Sequence, residues 1–171
     1  MAEVVAAGKF VRLVRQGHWE WAERTNASGV VVIAAVTPEN KVIFVEQYRI
    51  PVGARVIEMP AGLAGDVAGA EDEALAVAAA RELEEETGYR AGRIERMTAG
   101  PVSAGLTSEI LTFFRAHDLV KVGDGGGDES EDIAVHEVPL ADAHRWLAAR
   151  ASDGVLADPK VYAGLYFLER G

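Results

Sequence analysis

Residues 81–89 of the chain read RELEEETGY. Four carboxylates stand within five consecutive positions, and like charges this close destabilise a helix unless a cation binds them. Residues 72–87 are nevertheless rich in Ala, Leu and Glu, which favour helix formation. Gly88 is typical of the left-handed residue that follows a helix. We therefore predict an acidic helix over residues 72–87.

The spacing along this helix predicts a polar face and an apolar face. Glu82, Glu85 and Glu86 stand at i, i+3 and i+4, so their side chains share one face. Arg81 precedes Glu85 by four residues and could orient its carboxylate. The predicted core side is the row Leu75, Ala79 and Leu83. Because Mg²⁺ is commonly held by one or two carboxylates together with phosphates and waters, the spacing suits a magnesium and phosphate site. The alternative is that these carboxylates form a helix face that is exposed to water and binds no metal ion.

Composition limits the classes of function. The 171 residues are 49% hydrophobic, which predicts one main domain with its own core. A net charge of −10 argues against nucleic acid as a partner, because such binding needs clustered cations. The absence of cysteine excludes disulfides and thiol chemistry. No apolar run has the length of a membrane span or the form of a secretory leader, so we expect no membrane partner and a cytoplasmic location.

The order of the predicted elements indicates the α/β class. Residues 141–150 and 159–170 are predicted helices, and residues 123–131 a loop rich in Gly and acids. Strands are predicted at 29–36, 41–47, 56–59, 93–97, 109–116 and 133–138. The first two strands, joined by Thr-Pro-Glu-Asn, are predicted to pair as a hairpin. Residues 1–27 are expected to form a small separate β-sheet segment beside a main domain of residues 28–171.

Residues 81–89 complete the second half of the Nudix box, so the chain resembles the Nudix hydrolase family. The family pattern is Gly, five residues, Glu, seven residues and then Arg-Glu-U-x-Glu-Glu-x-Gly-U, in which U is bulky and apolar. Glu73 stands where the first Glu is expected, with Glu71 as its competitor. Val67 stands where the glycine is expected, and Gly62 resembles that glycine, so the loop at 65–70 is lengthened. The resemblance implies a Nudix fold, a mixed β-sheet sandwiched between helices (α/β/α).

Three flanking segments are similar to the ADP-ribose pyrophosphatase and nucleoside diphosphate sugar hydrolase branch. They are residues 46–51 (EQYRIP), 57–63 (IEMPAGL) and 128–133 (DESEDI). The resemblance implies magnesium-dependent hydrolysis of ADP-ribose to AMP and ribose 5-phosphate. Ala104 stands where that branch commonly has Pro, so GDP-mannose or another nucleoside diphosphate sugar is an alternative substrate. A nucleotide-binding Nudix module without catalysis is a further alternative.

The resemblance also implies roles for individual residues. Glu82 and Glu86 correspond to the principal ligands of two or three Mg²⁺ ions, which Mn²⁺ could replace. The expected metal set is completed by Glu85, Glu131 and the Ala61 carbonyl. The expected catalytic residues are Glu129 as general base, Glu85 and Arg81. The expected substrate-binding residues are Trp19, Glu20, Arg49, Glu58, Gly62 and Gly105.

Two of these roles have structural alternatives, and one implies a partner. Arg49 resembles a phosphate-binding arginine, although an arginine after a strand could also be purely structural. Trp19 resembles an aromatic residue that stacks on adenine, although a tryptophan there could equally pack in a core or an interface. Members of this branch are usually homodimers whose N-terminal sheet crosses to the partner, so we expect a homodimer in which residues 1–27 take part.

Overall fold

A computed structural model describes residues 1–66, 69, 74–127 and 132–170 of the chain. The helices are α1 (Leu75–Thr87), α2 (Ala143–Ser152) and α3 (Pro159–Arg170). The strands are β1 (Glu3–Ala7), β2 (Val11–Gln16), β3 (Trp19–Arg24), β4 (Gly29–Ala35), β5 (Lys41–Arg49), β6 (Ala54–Glu58), β7 (Ala61–Ala64), β8 (Tyr89–Arg90), β9 (Arg93–Pro101), β10 (Ile110–His117), β11 (Val120–Lys121), β12 (Ala134–Pro139) and β13 (Leu156–Ala157).

Two four-stranded sheets carry the main body of the protein. One has the order β7-β4-β10-β9, with β4 and β10 parallel, and the other has the order β12-β5-β6-β13. Strand β4 is buried on both faces, since Val32 and Ala34 belong to one apolar core and Val31 and Ile33 to another. The prediction of an α/β/α arrangement around mixed sheets is therefore confirmed.

The helices cover the two cores from opposite sides. Helix α1 inserts Ala78, Ala79 and Leu83 into the core that contains Val31 and Ile33. The predicted apolar row is confirmed, because Ala79 and Leu83 are fully buried and Leu75 packs against the same core. Helices α2 and α3 close the other core with the residues Leu147, Val161 and Leu165. The acidic face of α1 lies beside these core residues and contacts the backbone of β7 through Glu82 and Glu86.

The predicted hairpin between residues 29–36 and 41–47 is wrong. Strand β4 pairs with β10 and β7, whereas β5 pairs with β12 and β6, and a single antiparallel bridge from Val36 to Val42 connects the two segments. Both strands are apolar on both faces, so each takes a central place in its own sheet. The sequence pattern predicted the strands correctly but not their partners.

The remaining boundaries differ by a few residues, and the N-terminal sheet is as predicted. Helix α1 begins at Leu75, because Ala74 has an extended backbone; residues 72 and 73 lie outside the described ranges. Strand β9 continues to Pro101, four residues beyond the predicted end. Strands β1, β2 and β3 form a separate antiparallel sheet. None of the three described helices is long and apolar enough to cross a membrane.

Candidate active site

The carboxylates of α1 face a cavity of about 530 Å³, which we call the acidic cavity. Its floor is the helix face with Glu82, Glu85 and Glu86, and its walls come from the ends of several strands. The structure brings together here eight of the residues expected in the site: Arg49, Glu58, Ala61, Gly62, Arg81, Glu82, Glu85 and Glu86. Residues distant in sequence thus form one polar pocket.

Strand β7 lies directly against the acidic helix. The Ala61 N–H donates to Glu86 Oε2 at 3.0 Å, and the Leu63 N–H donates to Glu82 Oε1 at 3.2 Å. Between them, a Cβ on Gly62 would lie 1.9 Å from Cδ of Glu82, so any larger residue here would displace the Glu82 carboxylate. The assignment of Gly62 as the glycine before the acidic helix therefore has a steric reason.

Arg81 joins this helix to β7. Its Nη1 donates to Glu82 Oε1 at 2.9 Å and to Glu85 Oε2 at 3.0 Å, and its Nη2 donates to the Leu63 carbonyl at 2.9 Å. The expected contact between Arg81 and Glu85 is confirmed. The guanidinium thus orients two of the three carboxylates that α1 contributes to the cavity.

The fourth acid of the stretch has a different environment. Glu84 accepts two hydrogen bonds from Arg90, at 2.8 and 2.9 Å. These hydrogen bonds lower the pKa of the Glu84 carboxyl. Gly88 ends the helix with a φ of 71°, as predicted. Since the carboxyl end of a helix carries partial negative charge, the acids of this last turn are favoured by nearby cations. Arg90 supplies one for Glu84 outside the cavity.

Burial changes the acidity of the cavity floor. Removal from water raises the pKa of Glu82 to about 7, with Arg81 acting in the opposite direction and the nearby Glu85 adding to the rise. The side chain of Glu82 is 13% exposed and that of Glu85 is 53% exposed. Two neighbouring carboxylates of one helix therefore differ in solvation. A cation near Glu82 would favour its ionised form.

The donor set fits a hard divalent cation by its chemistry. Three carboxylates of α1 face one cavity, and carboxylate oxygens are the ligands that Mg²⁺ takes in proteins. In the described ranges no three His, Asp or Glu side chains stand in an arrangement that could itself hold a metal ion. Glu82 and Glu86 instead accept backbone N–H groups of β7, and Arg81 lies against Glu82 and Glu85.

An arginine and an acid form another wall of the acidic cavity. Arg49 Nε donates to Glu58 Oε2 at 2.7 Å, across the antiparallel pair β5 and β6. The Glu58 side chain is 9% exposed, whereas Arg49 is 42% exposed. A buried acid therefore holds an arginine whose other nitrogens remain near the cavity, which is a suitable arrangement for binding phosphate.

The glycine-rich segment that precedes the expected catalytic acids is attached to α1. Gly126 N–H donates to the Glu86 carbonyl at 2.8 Å, and Gly127 N–H donates to the Glu85 carbonyl at 3.1 Å. A Cβ on Gly125 would lie 2.5 Å from the Thr87 carbonyl carbon, so this close approach requires glycine. Glu129 and Glu131 lie outside the described residues, as do Glu71 and Glu73, and their roles stay predictions.

Trp19 and Gly105 line a second cavity of about 370 Å³, together with Trp21 and Ala104. A smaller cavity of about 210 Å³ lies between the two, because it shares Ser108 with the tryptophan-lined cavity and Arg24 with the acidic cavity. Glu20 does not line any of these three cavities; its carboxylate lies 3.9 Å from Arg15. Trp19 and Gly105, two of the expected substrate-binding residues, therefore line one cavity together, and neither of them lines the acidic cavity.

Several cavity residues were missed by sequence reasoning. Arg24, Glu109 and Lys160 also line the acidic cavity, and Arg24 Nε donates to Glu109 Oε1 at 2.9 Å. They come from β3, the segment before β10, and α3. No local spacing connects them with residues 81–89, so the sequence offered no signal for their position.

Comparisons with known proteins agree with this fold. A family model described as the NUDIX domain matches residues 25–158. The chain is 31% identical to a methanol dehydrogenase activator of Bacillus methanolicus over 98% of this chain and 89% of that protein. It is 40% identical to an ADP-ribose pyrophosphatase of Bacillus subtilis (strain 168), over 71% of this chain and 64% of that one.

Further similarities involve another sugar nucleotide and a solved structure. A GDP-mannose pyrophosphatase of Pectobacterium atrosepticum is 30% identical, over 90% of this chain and 75% of that one. The crystal structure of an ADP compounds hydrolase superposes with a TM-score of 0.72 at 19% identity, covering 99% of this chain and 90% of that one. This second likeness concerns the fold alone. From the family model, the long relatives and the complete stretch at 81–89, the chain belongs to the Nudix family of hydrolases.

Proposed function

We propose that the protein hydrolyses the diphosphate bond of ADP-ribose, in the presence of Mg²⁺, to AMP and ribose 5-phosphate. The observation that carries the proposal is the acidic cavity, in which three carboxylates of α1 face the same space as Arg49. The relative with 40% identity is named an ADP-ribose pyrophosphatase, which favours this substrate.

In this proposal, Glu82 and Glu86 are the principal holders of two or three Mg²⁺ ions, with Glu85, the Ala61 carbonyl and Glu131 completing the set. Bound Mg²⁺, or Mn²⁺ in its place, would neutralise the charge that develops on the diphosphate oxygens. Arg81 keeps the carboxylates of Glu82 and Glu85 oriented.

The chain's other groups bind the substrate and activate water. Arg49, oriented by Glu58, binds the diphosphate. Glu129 accepts the proton of a water molecule whose oxygen forms a bond to one phosphorus, while the bridging bond from that phosphorus to oxygen breaks. The products are AMP and ribose 5-phosphate, and the only co-reactant is water.

The nucleoside half of the substrate has a path toward Trp19. Support comes from three cavities that share lining residues between the acidic helix and Trp19, a residue that is 55% exposed. We propose that the base stacks on Trp19 near Gly105. Ala104, beside that glycine, keeps GDP-mannose or another nucleoside diphosphate sugar as the alternative, which the relative named GDP-mannose pyrophosphatase also favours.

We further propose a homodimer in which residues 1–27 form the dimerisation element and residues 28–171 the hydrolase domain. Support comes from the N-terminal sheet, whose strands β1 and β2 expose Val4, Val5, Val11 and Leu13 to water. An apolar surface of this kind on a small sheet marks an interaction surface. The cytoplasmic location and the absence of a nucleic-acid partner remain expectations from composition.

The proposal is tested with purified protein, Mg²⁺ and a panel of ADP-ribose, GDP-mannose, ADP-glucose, diadenosine polyphosphates and nucleoside triphosphates, with phosphate release coupled to a phosphatase. The highest kcat/KM is expected for ADP-ribose. A preference for GDP-mannose would move the assignment to the alternative substrate. Tight binding of ADP-ribose without turnover would instead favour the non-catalytic binding module.

A further inference from the structure

A separate group of cations surrounds a cavity of about 630 Å³ between β9, β10 and the end of α3. We call it the basic cavity. Its lining includes Arg96, Arg115, Arg170, His117, Met97 and Phe167. None of these residues is among those that line the acidic cavity. The chain carries a net charge of −10, so three guanidinium groups around one pocket are a marked local excess of positive charge.

The basic cavity lies well away from the acidic helix. Strand β10 enters the acidic cavity through Leu111 and the basic cavity through Arg115. Four residues of extended strand separate the two positions by about 13 Å. A ligand in the basic cavity would therefore not occupy the space in front of Glu82 and Glu86.

The acid of the basic cavity is already paired. Glu95 accepts from Arg93 at 2.6 Å and contacts His117 Nε2 at 3.0 Å. By contrast, no hydrogen bond or ion pair joins the guanidinium group of Arg96 or that of Arg115 to any residue in the described part of the chain. Each guanidinium has five N–H donors in a planar fork that matches phosphate oxygens. Two sets of donors are thus available to an anion.

The apolar wall of this cavity is held in place. Phe167 packs against Phe113, with ring centroids 6.1 Å apart, and against Tyr166 at 5.5 Å. Arg170 lies over the ring of Tyr166 at 4.8 Å, beside the cavity. Met97 is packed against the core. A pocket with a fixed aromatic wall and three arginines in its lining suits a ligand that is both anionic and planar.

We propose that the basic cavity binds a small nucleotide-like anion, whose phosphate oxygens accept from Arg96 and Arg115 while its planar group lies against Phe167. The proposal is independent of the hydrolysis proposed above, because it uses none of the residues placed in the acidic cavity. It assigns the protein a second binding site for a phosphorylated small molecule.

The test is calorimetric titration of AMP, the probe ligand, into full-length protein in EDTA. Binding is expected in the wild type and in Glu86→Gln. Arg115→Gln and Arg96→Gln should each weaken it about tenfold or more, which corresponds to one charge-assisted hydrogen bond. The matched control is Arg145→Gln on α2, whose side chain is 81% exposed and lies outside the cavity; it should bind AMP as the wild type does.

Three results would overturn the proposal: no AMP binding by the wild type, loss of binding in Glu86→Gln with retention in Arg115→Gln, or binding that neither arginine variant weakens. Adenosine, which lacks the phosphate, is expected to bind far more weakly than AMP, and equal binding would also contradict it. Arg96 is exposed, so its variant keeps the test valid if Arg115→Gln fails to fold. The initial rate of ADP-ribose hydrolysis, measured without added AMP, should be unchanged in both arginine variants. Failure of the second binding site is therefore distinguishable from failure of the proposed hydrolysis.

Discussion

Two glutamates of one helix provide a matched pair at the scale of single residues. Glu86 is 3% exposed and lies in the acidic cavity, whereas Glu84 pairs with Arg90 outside it. We expect Glu86→Gln to lower kcat by about a hundredfold or more, because charge stabilisation by a bound metal contributes several kcal/mol. Steady-state kinetics with ADP-ribose and Mg²⁺ measure the effect.

Glu84→Gln is the control for that change. It makes the same substitution two residues earlier in the same helix. It removes only an exposed ion pair, which contributes at most about 1 kcal/mol to stability. Its kcat should stay near that of the wild type. An equal fall in kcat in both variants would mean that kcat depends on the total charge of the helix and not on the position of Glu86 in the cavity.

At Gly62, one added methyl group is expected to disturb the acidic cavity. A methyl group there would lie 1.9 Å from Glu82 Cδ, so Gly62→Ala must displace this carboxylate or strand β7. Because the displaced group is the far end of a flexible side chain, we expect little loss in the free energy of unfolding but a large fall in activity. Urea unfolding and kinetics measure the two effects.

Gly100→Ala provides the comparison, because a Cβ on Gly100 would meet no atom within 4 Å. This variant should keep its activity. A fully active Gly62→Ala would show that Glu82 need not lie against β7 for catalysis.

At the scale of elements, a buried ionic cluster joins β5, β6, β12 and α2. Glu46, whose side chain is 5% exposed, accepts from Arg55 at 2.8 Å and from Arg150 at 2.7 Å and contacts His136 at 2.9 Å. Glu46→Gln should lower the free energy of unfolding by about 3 kcal/mol, the lower end for buried pairs, because both arginines keep some contact with water. Urea unfolding at neutral pH is the measurement.

The same cluster predicts a direction for the pH dependence of stability. Burial raises the pKa of Glu46, but the hydrogen bonds from Arg150, Arg55 and His136 outweigh it, so its pKa lies below the ordinary 4.5. A carboxyl with a lowered pKa stabilises the fold above 4.5 and loses this contribution as the pH falls through its folded pKa. The difference in stability between wild type and Glu46→Gln should therefore shrink in acid. A difference that grows as the pH falls would contradict the assignment.

The accuracy of the sequence predictions depends on whether each feature is local. Helix α1, its Gly88 cap and the contact of Arg81 with Glu85 depend on residues within one or two turns, and all three are present. The pairing of β4 depends on β10, far along the chain, and local spacing gave a wrong hairpin. The position of Lys160 in the acidic cavity likewise depends on how α3 packs, which no pattern near residues 81–89 records.

At the scale of the whole molecule, the N-terminal sheet predicts a dimer. Val11 is 47% exposed and Leu13 38% exposed on β2, and burying them in a partner would be favourable. The double substitution Val11→Asp and Leu13→Asp should therefore give a monomer by light scattering. If Trp19 completes the partner's site, the KM for ADP-ribose should rise as well.

Val120→Asp is the control for the dimer, since Val120 is 61% exposed but lies on β11 in the main body. This variant should keep the mass of the wild type. A wild-type protein that is monomeric at micromolar concentration would contradict the proposed dimer without affecting the fold or the acidic cavity.

We propose that the acidic cavity uses water to break the diphosphate bond of ADP-ribose. The most direct measurement is mass spectrometry of the products formed in water enriched in heavy oxygen, with Mg²⁺ and with EDTA. With Mg²⁺ we expect AMP and ribose 5-phosphate, one of which carries one heavy oxygen atom. With EDTA we expect no products. ADP-ribose that stays intact at saturating Mg²⁺, or products formed equally in Glu86→Gln, would contradict it.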